Sequence, residues 1–290
     1  MKTLCAMYAL LSAGLVAPAM GEAPMAQAPA VDLMKMNRDA RCKQVLVTCL
    51  INGTPMRMML DTGATHTVLH TESAARVPHA QWIDTSHIQF KGNSAQRPKL
   101  LRATLLAGPA ESPGHPVMVM NLGAVRSMMA EPVDGILGMD ILSHIPFTFD
   151  LKSGELYWGS PAGKELVPLH AVPDGKGRVI VQGLCGGNTI PMLLDTGSSV
   201  TRVPKELWAP GAGAEIGAQI GDIDNRKGIK VLEGKPGDIE LGPGVAARGV
   251  TPILGSTGEP SILGMDGLNG LILIHLPQEN SRTGLFLLAR

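Results

Sequence analysis

Apolar and polar positions alternate over short stretches along most of this chain, and glycine, proline or polar clusters separate these stretches. A period of two is typical of β-strands, and such separators mark turns. Residues 43–50 and 56–60 flank Asn52-Gly53, a pair that favours a tight hairpin turn. The pattern returns at residues 178–184 and 190–194, on either side of a Gly-Gly-Asn turn. The chain is therefore predicted to be all-β.

The second strand of each hairpin ends in a carboxylate, a small hydroxyl residue and a glycine. The two copies are Asp61-Thr62-Gly63-Ala64 and Asp195-Thr196-Gly197-Ser198. Later in each half comes an apolar pair followed by glycine, Ile136-Leu137-Gly138 and Ile262-Leu263-Gly264. A shift of 134 residues superposes the two acids, and the landmarks keep one order, which indicates a duplicated unit of domain size. The predicted division is residues 1–28 for an N-terminal leader, 29–160 for a first lobe and 161–290 for a second.

Length and composition narrow the function. A chain of 290 residues with 44% hydrophobic content is long enough for two ordinary cores. Lys and Arg together number 25, as do Asp and Glu, so the formal net charge is zero and no long charged run occurs. This argues against a nucleic-acid-binding protein and against an electrostatic membrane-surface binder.

The N-terminus is typical of a secretory signal peptide. Lys2 precedes an apolar segment, residues 4–16, and small residues at Ala17-Pro18-Ala19 or Ala26-Gln27-Ala28 offer a cleavage site. The apolar segment is too short to span a bilayer, and no second long apolar run follows. We therefore expect a secreted or periplasmic protein, with an uncleaved N-terminal anchor as the alternative.

Removal of this leader leaves Cys42, Cys49 and Cys185. The first two flank one predicted strand, which at about 3.3 Å per residue places their Cα atoms ~23 Å apart, beyond disulfide reach. A bond between Cys49 and Cys185 stays open, and buried free thiols are the other interpretation. Methionines such as Met118 and Met128 are expected to pack in the core rather than bind a soft metal. No Cys or His spacing is typical of zinc, so no metal or other cofactor is predicted.

Two variable regions separate the acids from the apolar-apolar-glycine segments. Residues 86–99 and 219–231 each contain a polar, glycine-bearing tip, and they are either flaps over the site or ordinary surface hairpins. Short helices are predicted at residues 71–76 and 204–208 and after each I-L-G-M-D sequence, and a further hairpin at residues 147–158.

Two carboxyl groups at the ends of paired strands indicate acid–base chemistry. At hydrogen-bonding distance they cannot both ionise cheaply, so they are expected to share one proton. The ionised member then takes a proton from water while the protonated member polarises the substrate carbonyl. Gly63 and Gly197 are expected to permit a tight turn and to bring backbone N–H groups toward the carboxylates. Thr62 and Thr196 are expected to hydrogen-bond across the junction between the halves.

The two motifs differ at one position. Ser198 has a hydroxyl that can donate to its aspartate, whereas Ala64 has none. We therefore expect Asp195 to hold its charge more readily than Asp61. His66 lies three residues after the first motif glycine and is expected to be structural, because the second motif has valine there.

The paired D-T-G motifs, each followed by I-L-G, resemble those of the aspartic peptidases. Each half is most similar to the retropepsin-like proteases of bacteria, here two in tandem over about residues 40–290. The resemblance implies a bilobal acid-protease fold with two β-barrel-like lobes, an active site in the cleft between them, and extended peptide substrates. It also implies catalysis by Asp61 and Asp195 without a metal or organic cofactor. A pepsin-like flap tyrosine is missing, since Tyr8 lies in the leader and Tyr157 in the predicted hairpin.

The expected function is that of an aspartic endopeptidase acting on polypeptides. Both half-sites lie on one chain, so a monomer suffices. Two alternatives stay open: a pair of ordinary turn aspartates, and a peptide-binding or regulatory protein that keeps the fold without turnover.

Overall fold

A computed structural model describes residues 3–5, 32–85, 98–160, 166–169, 171–221, 229–256, 258–278 and 284–289. About 52% of the chain is strand and 10% helix, in two barrel-like sheets. The predicted all-β class and bilobal acid-protease fold are confirmed.

The first half of the chain is built from short strands joined by tight turns. In chain order they are β1 (Thr3–Cys5), β2 (Met36–Arg38), β3 (Val45–Ile51), β4 (Thr54–Leu60), β5 (Val68–His70), β6 (Gln81–Ile83), β7 (Lys99–Ala107), β8 (Ala110–Met120), β9 (Gly135–Leu137), β10 (Phe147–Asp150) and β11 (Glu155–Trp158). The helices of this half are α1 (Thr71–Ala74), α2 (Gly123–Met128) and α3 (Met139–Leu142).

The second half repeats this plan. Its strands are β12 (Leu166–Pro168), β13 (Ala171–Pro173), β14 (Val179–Cys185), β15 (Asn188–Leu194), β16 (Arg202–Pro204), β17 (Ala212–Gly221), β18 (Ile229–Gly234), β19 (Gly237–Gly242), β20 (Val245–Val250), β21 (Ile253–Gly255), β22 (Ser261–Leu263), β23 (Ile272–Leu276) and β24 (Leu285–Ala289). A 3₁₀ turn spans Lys205–Leu207, and α4 spans Met265–Leu268.

Each half forms its own curved sheet, and a third sheet joins them. Strands β3, β4, β9, β5, β8 and β7 follow one another, and a β3–β7 pairing closes this ring into a six-stranded barrel. The second sheet centres on β16, β22, β15 and β14, with β1 added in parallel beside β17. The third sheet has the order β11-β10-β23-β24-β12, so two strands of the first half lie beside three of the second, and β10 pairs with β23 across the junction. One apolar core runs through both halves, so the lobes are packed together as well as hydrogen-bonded.

The two predicted hairpins are present, with small differences in length. β3 and β4 pair around Asn52-Gly53, where both residues have positive φ and glycine relieves the strain. β14 and β15 pair around Gly186-Gly187, so Asn188 belongs to the strand rather than to the turn. Each second strand then runs parallel to the later apolar-apolar-glycine strand, β4 beside β9 and β15 beside β22. This pairing delivers each motif acid to the centre of its sheet.

The other predicted elements fall close to their expected places. The four predicted short helices are present as α1, the 3₁₀ turn, α3 and α4. The third predicted hairpin is formed by β10 and β11. α2 was not predicted, and Met128 therefore lies in a helix, although it is buried as expected. Within the described part of the chain no helix is long and apolar enough to cross a membrane.

Some predictions fall on residues that the structure does not describe. Residues 86–97 and 222–228 hold both expected flap tips, residues 6–31 hold most of the expected leader, and residues 161–165 hold most of the junction between the predicted lobes. The flap interpretation and the boundaries at residues 28 and 160 therefore stay predictions.

Candidate active site

The two motif acids lie at the ends of β4 and β15, where each strand leaves its sheet. The Asp61 backbone N–H donates to Leu137 O at 3.0 Å, and the Asp195 N–H donates to Leu263 O at 3.1 Å. These bonds extend the parallel pairing of each motif strand by one residue. Both acids are thereby held by a β-ladder rather than by a loop, which gives their side chains a defined direction.

Each carboxyl is anchored through one oxygen. Asp61 Oδ1 accepts the N–H groups of Gly63 at 2.8 Å and of Ala64 at 3.0 Å. Asp195 Oδ1 accepts the N–H of Ser198 at 3.0 Å. The backbone of each D-T-G turn therefore fixes its own acid, as expected from the tight turn that glycine permits.

The other oxygen of each acid faces the opposite half. Both residues are almost fully buried, at 1% and 0% exposure, and neither Oδ2 accepts a hydrogen bond from a donor among the described residues. The Asp61 and Asp195 carboxyls lie within hydrogen-bonding distance of one another. A carboxylate only accepts hydrogen bonds, so one proton held between the two acids is what satisfies both oxygens.

Burial and the neighbouring charge favour this shared proton. Burial raises the pKa of Asp61, and it raises the pKa of Asp195 well above its ordinary value. The negative charge of Asp61 further raises the pKa of Asp195, because two carboxylates repel each other at this distance. The pair therefore binds its first proton more readily than two separate acids would, and it titrates as a unit.

Glycine is required at both turns because the opposite carboxyl occupies the space of a side chain. A Cβ on Gly63 would lie 2.5–2.8 Å from the carboxyl atoms of Asp195, and one on Gly197 would overlap the carboxyl of Asp61. Such contacts are shorter than any real Cβ makes. The two motif glycines thus permit the close approach of the acids as well as the turn.

The motif threonines tie the halves together directly beneath the acids. Thr62 Oγ1 donates to Leu194 O at 2.7 Å, and Thr196 Oγ1 donates to Leu60 O at 3.0 Å. Each hydroxyl also accepts the backbone N–H of the other threonine at 3.1 Å. These four reciprocal bonds are buried and cross the junction, as the sequence predicts.

The apolar-apolar-glycine segments support the turns from behind. Ile136, Leu137, Ile262 and Leu263 are all fully buried. A Cβ on Gly138 would meet the backbone of His66, and one on Gly264 the backbone of Val200. Here too the glycines allow one backbone to lie against another, in agreement with the close approach that glycine within a strand predicts.

The expectation for Ser198 is wrong. Its hydroxyl donates to Val200 O at 2.8 Å rather than to Asp195, and only its backbone N–H reaches that acid. The local turn uses the hydroxyl to satisfy a carbonyl, an option that short hydroxyl residues often take. The argument that Asp195 holds its charge more readily than Asp61 rested on this hydroxyl and therefore fails.

Three supporting residues were missed. Asp140 accepts the N–H and the hydroxyl of Thr67, both at 2.8 Å, and Asp266 accepts the hydroxyl of Thr201 at 2.6 Å. Gln44 is fully buried and donates to Gly197 O at 3.2 Å, which links the first half to the second D-T-G turn. The repeated I-L-G-M-D sequence contained the signal for the two acids, whereas nothing in the local sequence marks Gln44.

Asp266 makes stability depend on pH. Burial raises the pKa of this carboxyl from its ordinary value of 3.8 to about 6. A pKa that is higher in the folded state contributes stability below about pH 4, and this contribution is lost as pH rises through about 6. Asp266→Asn keeps the acceptor for Thr201, so we expect it to match the wild type near pH 4 and to exceed it at pH 8. At pH 8 we expect the free energy of unfolding of Asp266→Asn to exceed that of the wild type by about 2 kcal/mol, a value that allows for solvent screening because the carboxyl borders a cavity.

Urea unfolding of both proteins between pH 4 and pH 8 measures this difference. A gap in the free energy of unfolding that stays constant over this range would contradict the assignment.

The structure also places His66 and the three cysteines of the predicted mature chain. His66 Nδ1 lies 2.8 Å from Thr65 Oγ1, a local contact consistent with a structural role. Cys42, Cys49 and Cys185 are buried and form no disulfide, so the Cys49–Cys185 bond left open by the sequence is not formed. In the described part of the chain no group of three or more His, Cys, Asp or Glu residues is arranged to hold a metal ion.

Two β lobes that present duplicated D-T-G turns are consistent with the bilobal fold of the aspartic proteases. The comparison with protein families agrees, since residues 47–141 match the family described as aspartyl protease. This confirms the suspected resemblance and supports a protease function. The matched segment contains the first D-T-G turn and the first I-L-G segment, while the second turn is assigned by its geometry. No match to this chain was found among curated proteins.

Proposed function

We propose that this protein is a secreted or periplasmic aspartic endopeptidase whose catalytic residues are Asp61 and Asp195. The observation that carries the proposal is the buried carboxyl pair, in which each acid presents one oxygen, free of protein donors among the described residues, to the other. Ordinary turn aspartates would expose their carboxyls or satisfy both oxygens locally. Two such acids on strands from separate lobes fit a site that needs one base and one acid.

The reaction follows from the shared proton. The ionised acid removes a proton from a water molecule, whose oxygen attacks the peptide carbonyl carbon, and the protonated acid donates a hydrogen bond to the carbonyl oxygen. The tetrahedral intermediate collapses when its C–N bond breaks and a proton passes to the leaving nitrogen. The pair then again holds one proton, and no side chain becomes covalently attached.

The supporting residues keep the pair in register. Thr62 and Thr196 fix the distance between the turns, and the turn N–H groups hold one oxygen of each acid. Because the acids supply both the base and the proton donor, the proposed reaction uses no metal or organic cofactor. A single chain provides both half-sites, so the proposed active form is a monomer.

A mixed peptide library tests the function. The mature protein, collected from the extracellular or periplasmic fraction, is incubated with the library from acid to neutral pH, with Asp61→Asn as the matched control. We expect cleavage by the wild type alone, and an N-terminal sequence from the same preparation that begins after the leader. Folded protein that binds peptides without cutting any would contradict the proposal and favour the peptide-binding alternative. Retention of Met1 would contradict the localisation.

A further inference from the structure

A cavity of about 460 Å³ lies between the two halves, beside the second D-T-G turn. The first half contributes Arg38, at the end of β2, and Lys43, in the turn before β3. The second half contributes Ser199 and Asp266. Its walls are therefore made by both lobes, as those of a substrate cleft would be.

Arg38 and Lys43 bring two positive charges to this cavity without a negative partner. The Arg38 Nε donates to Lys43 O at 3.2 Å, and the Lys43 Nζ donates to Ala40 O at 3.0 Å. Neither side chain forms an ion pair with a carboxylate in the described part of the chain. Burial also lowers the pKa of Arg38, as expected for a cation that leaves water without a counter-charge.

The two carboxylates in the cavity wall do not form ion pairs with Arg38 and Lys43. Asp39 is buried, and its carboxylate oxygens accept hydrogen bonds from the backbone N–H groups of Arg41, Cys42 and Ala130. Asp266 accepts from Thr201 and Gly267. Both acids therefore accept hydrogen bonds from their own loops and not from the two cations. The Arg38 guanidinium and the Lys43 ammonium still have N–H donors available for a ligand.

The corresponding turn of the second half is different. In the alignment of the two halves, which differ by 134 residues, Val172 corresponds to Arg38 and Gly177 corresponds to Lys43. The arginine of that turn, Arg178, is paired with Asp174 at 2.7 Å. The duplication therefore does not repeat the Arg38 and Lys43 pair in the second half.

The cavity lies next to the proposed catalytic pair. Ser199 directly follows Ser198, whose N–H holds Asp195. Gln44 directly follows Lys43 and donates to Gly197 O in the same turn. A peptide that extends from the acids along this turn would reach the two cations.

We propose that this cavity binds a carboxylate of the peptide substrate, on one side of the bond that is cut. This inference rests on the proposed function. A guanidinium matches the two oxygens of a carboxylate with two N–H donors, and an ammonium adds a further charge. The carboxylate belongs either to an acidic side chain or to the C-terminus of the peptide.

Matched peptides distinguish these two sources. One set carries Glu or Gln at each position on either side of the cut bond, with the C-terminus amidated, and a second set has a free or an amidated C-terminus without Glu. We expect kcat/KM to be about tenfold higher for the carboxylate at one position, on one side only. Preference in the first set alone identifies a side chain, and preference in the second alone identifies the C-terminus.

Variants then assign the preference to the cavity. In Arg38→Gln/Lys43→Gln the ratio between charged and neutral peptides should fall to about one. Arg41→Gln is the matched control, because Arg41 belongs to the same turn but donates to Ser127 O. Lys43→Glu should favour a peptide with Lys at the selected position. Thermal unfolding of each variant verifies the fold.

Binding separates this inference from the catalytic proposal. The same peptides are titrated into Asp61→Asn, with and without the cavity substitutions. Charge-dependent binding without cleavage by the wild type would support the cavity and contradict the protease. Cleavage and binding that ignore the charge, or a preference that survives in Arg38→Gln/Lys43→Gln, would overturn the inference and leave the protease in place.

Discussion

Asp61→Asn and Asp195→Asn will each lower kcat/KM for peptide cleavage by at least about 10³-fold. An asparagine keeps the size of the side chain and can still accept the N–H groups of its turn. It cannot take a proton from water, and it cannot share a proton with the remaining acid. Since the mechanism needs both members of the pair, either substitution alone should remove nearly all activity, and the double variant should lose little more.

Kinetics on the best library peptide, at the pH of maximal wild-type activity, measure this loss. Asp238→Asn is the control, because Asp238 is an acid of β19 that binds Arg248 at the surface. The control should retain wild-type rates. Cleavage that persists in either Asp61→Asn or Asp195→Asn would rule out the pair as the catalytic centre.

Thr62→Val and Thr196→Val will each lower the free energy of unfolding by about 2–3 kcal/mol. Valine has nearly the same shape as threonine but no hydroxyl. Thr62→Val therefore leaves Leu194 O without its donor and the Thr196 N–H without its acceptor, both inside the junction. Activity should fall as well, because these bonds set the register between the two acids.

Urea unfolding of each single variant tests this expectation. Thr189→Val provides a matched control on the strand that leads to Asp195, because Thr189 is exposed on β15. It should change stability by less than about 0.5 kcal/mol. Variants at residues 62 and 196 that unfold like this control would show that the four bonds across the junction contribute no net stability.

The sequence by itself determined the strand content, the duplication and the positions of the candidate acids. These features are local. Alternation of apolar and polar residues sets which segments become strands, and Asn52-Gly53 or Gly186-Gly187 sets where a hairpin turns. Because of the duplication each motif occurs twice, so the D-T-G and I-L-G segments can be recognised from the sequence alone. It also marked Asp140 and Asp266, whose role became visible only with their threonine partners.

The tertiary structure alone decided how the two halves meet. The direction of the Ser198 hydroxyl, the bond from Gln44 to Gly197 and the free oxygens of Asp61 and Asp195 all depend on contacts between residues far apart in the chain. The same holds for Arg38 and Lys43, which lie beside the second turn only because the lobes pack together. Periodicity and turn chemistry describe neighbours within a few residues. The distances that set a pKa, a hydrogen bond or a cavity are fixed by packing across the whole fold.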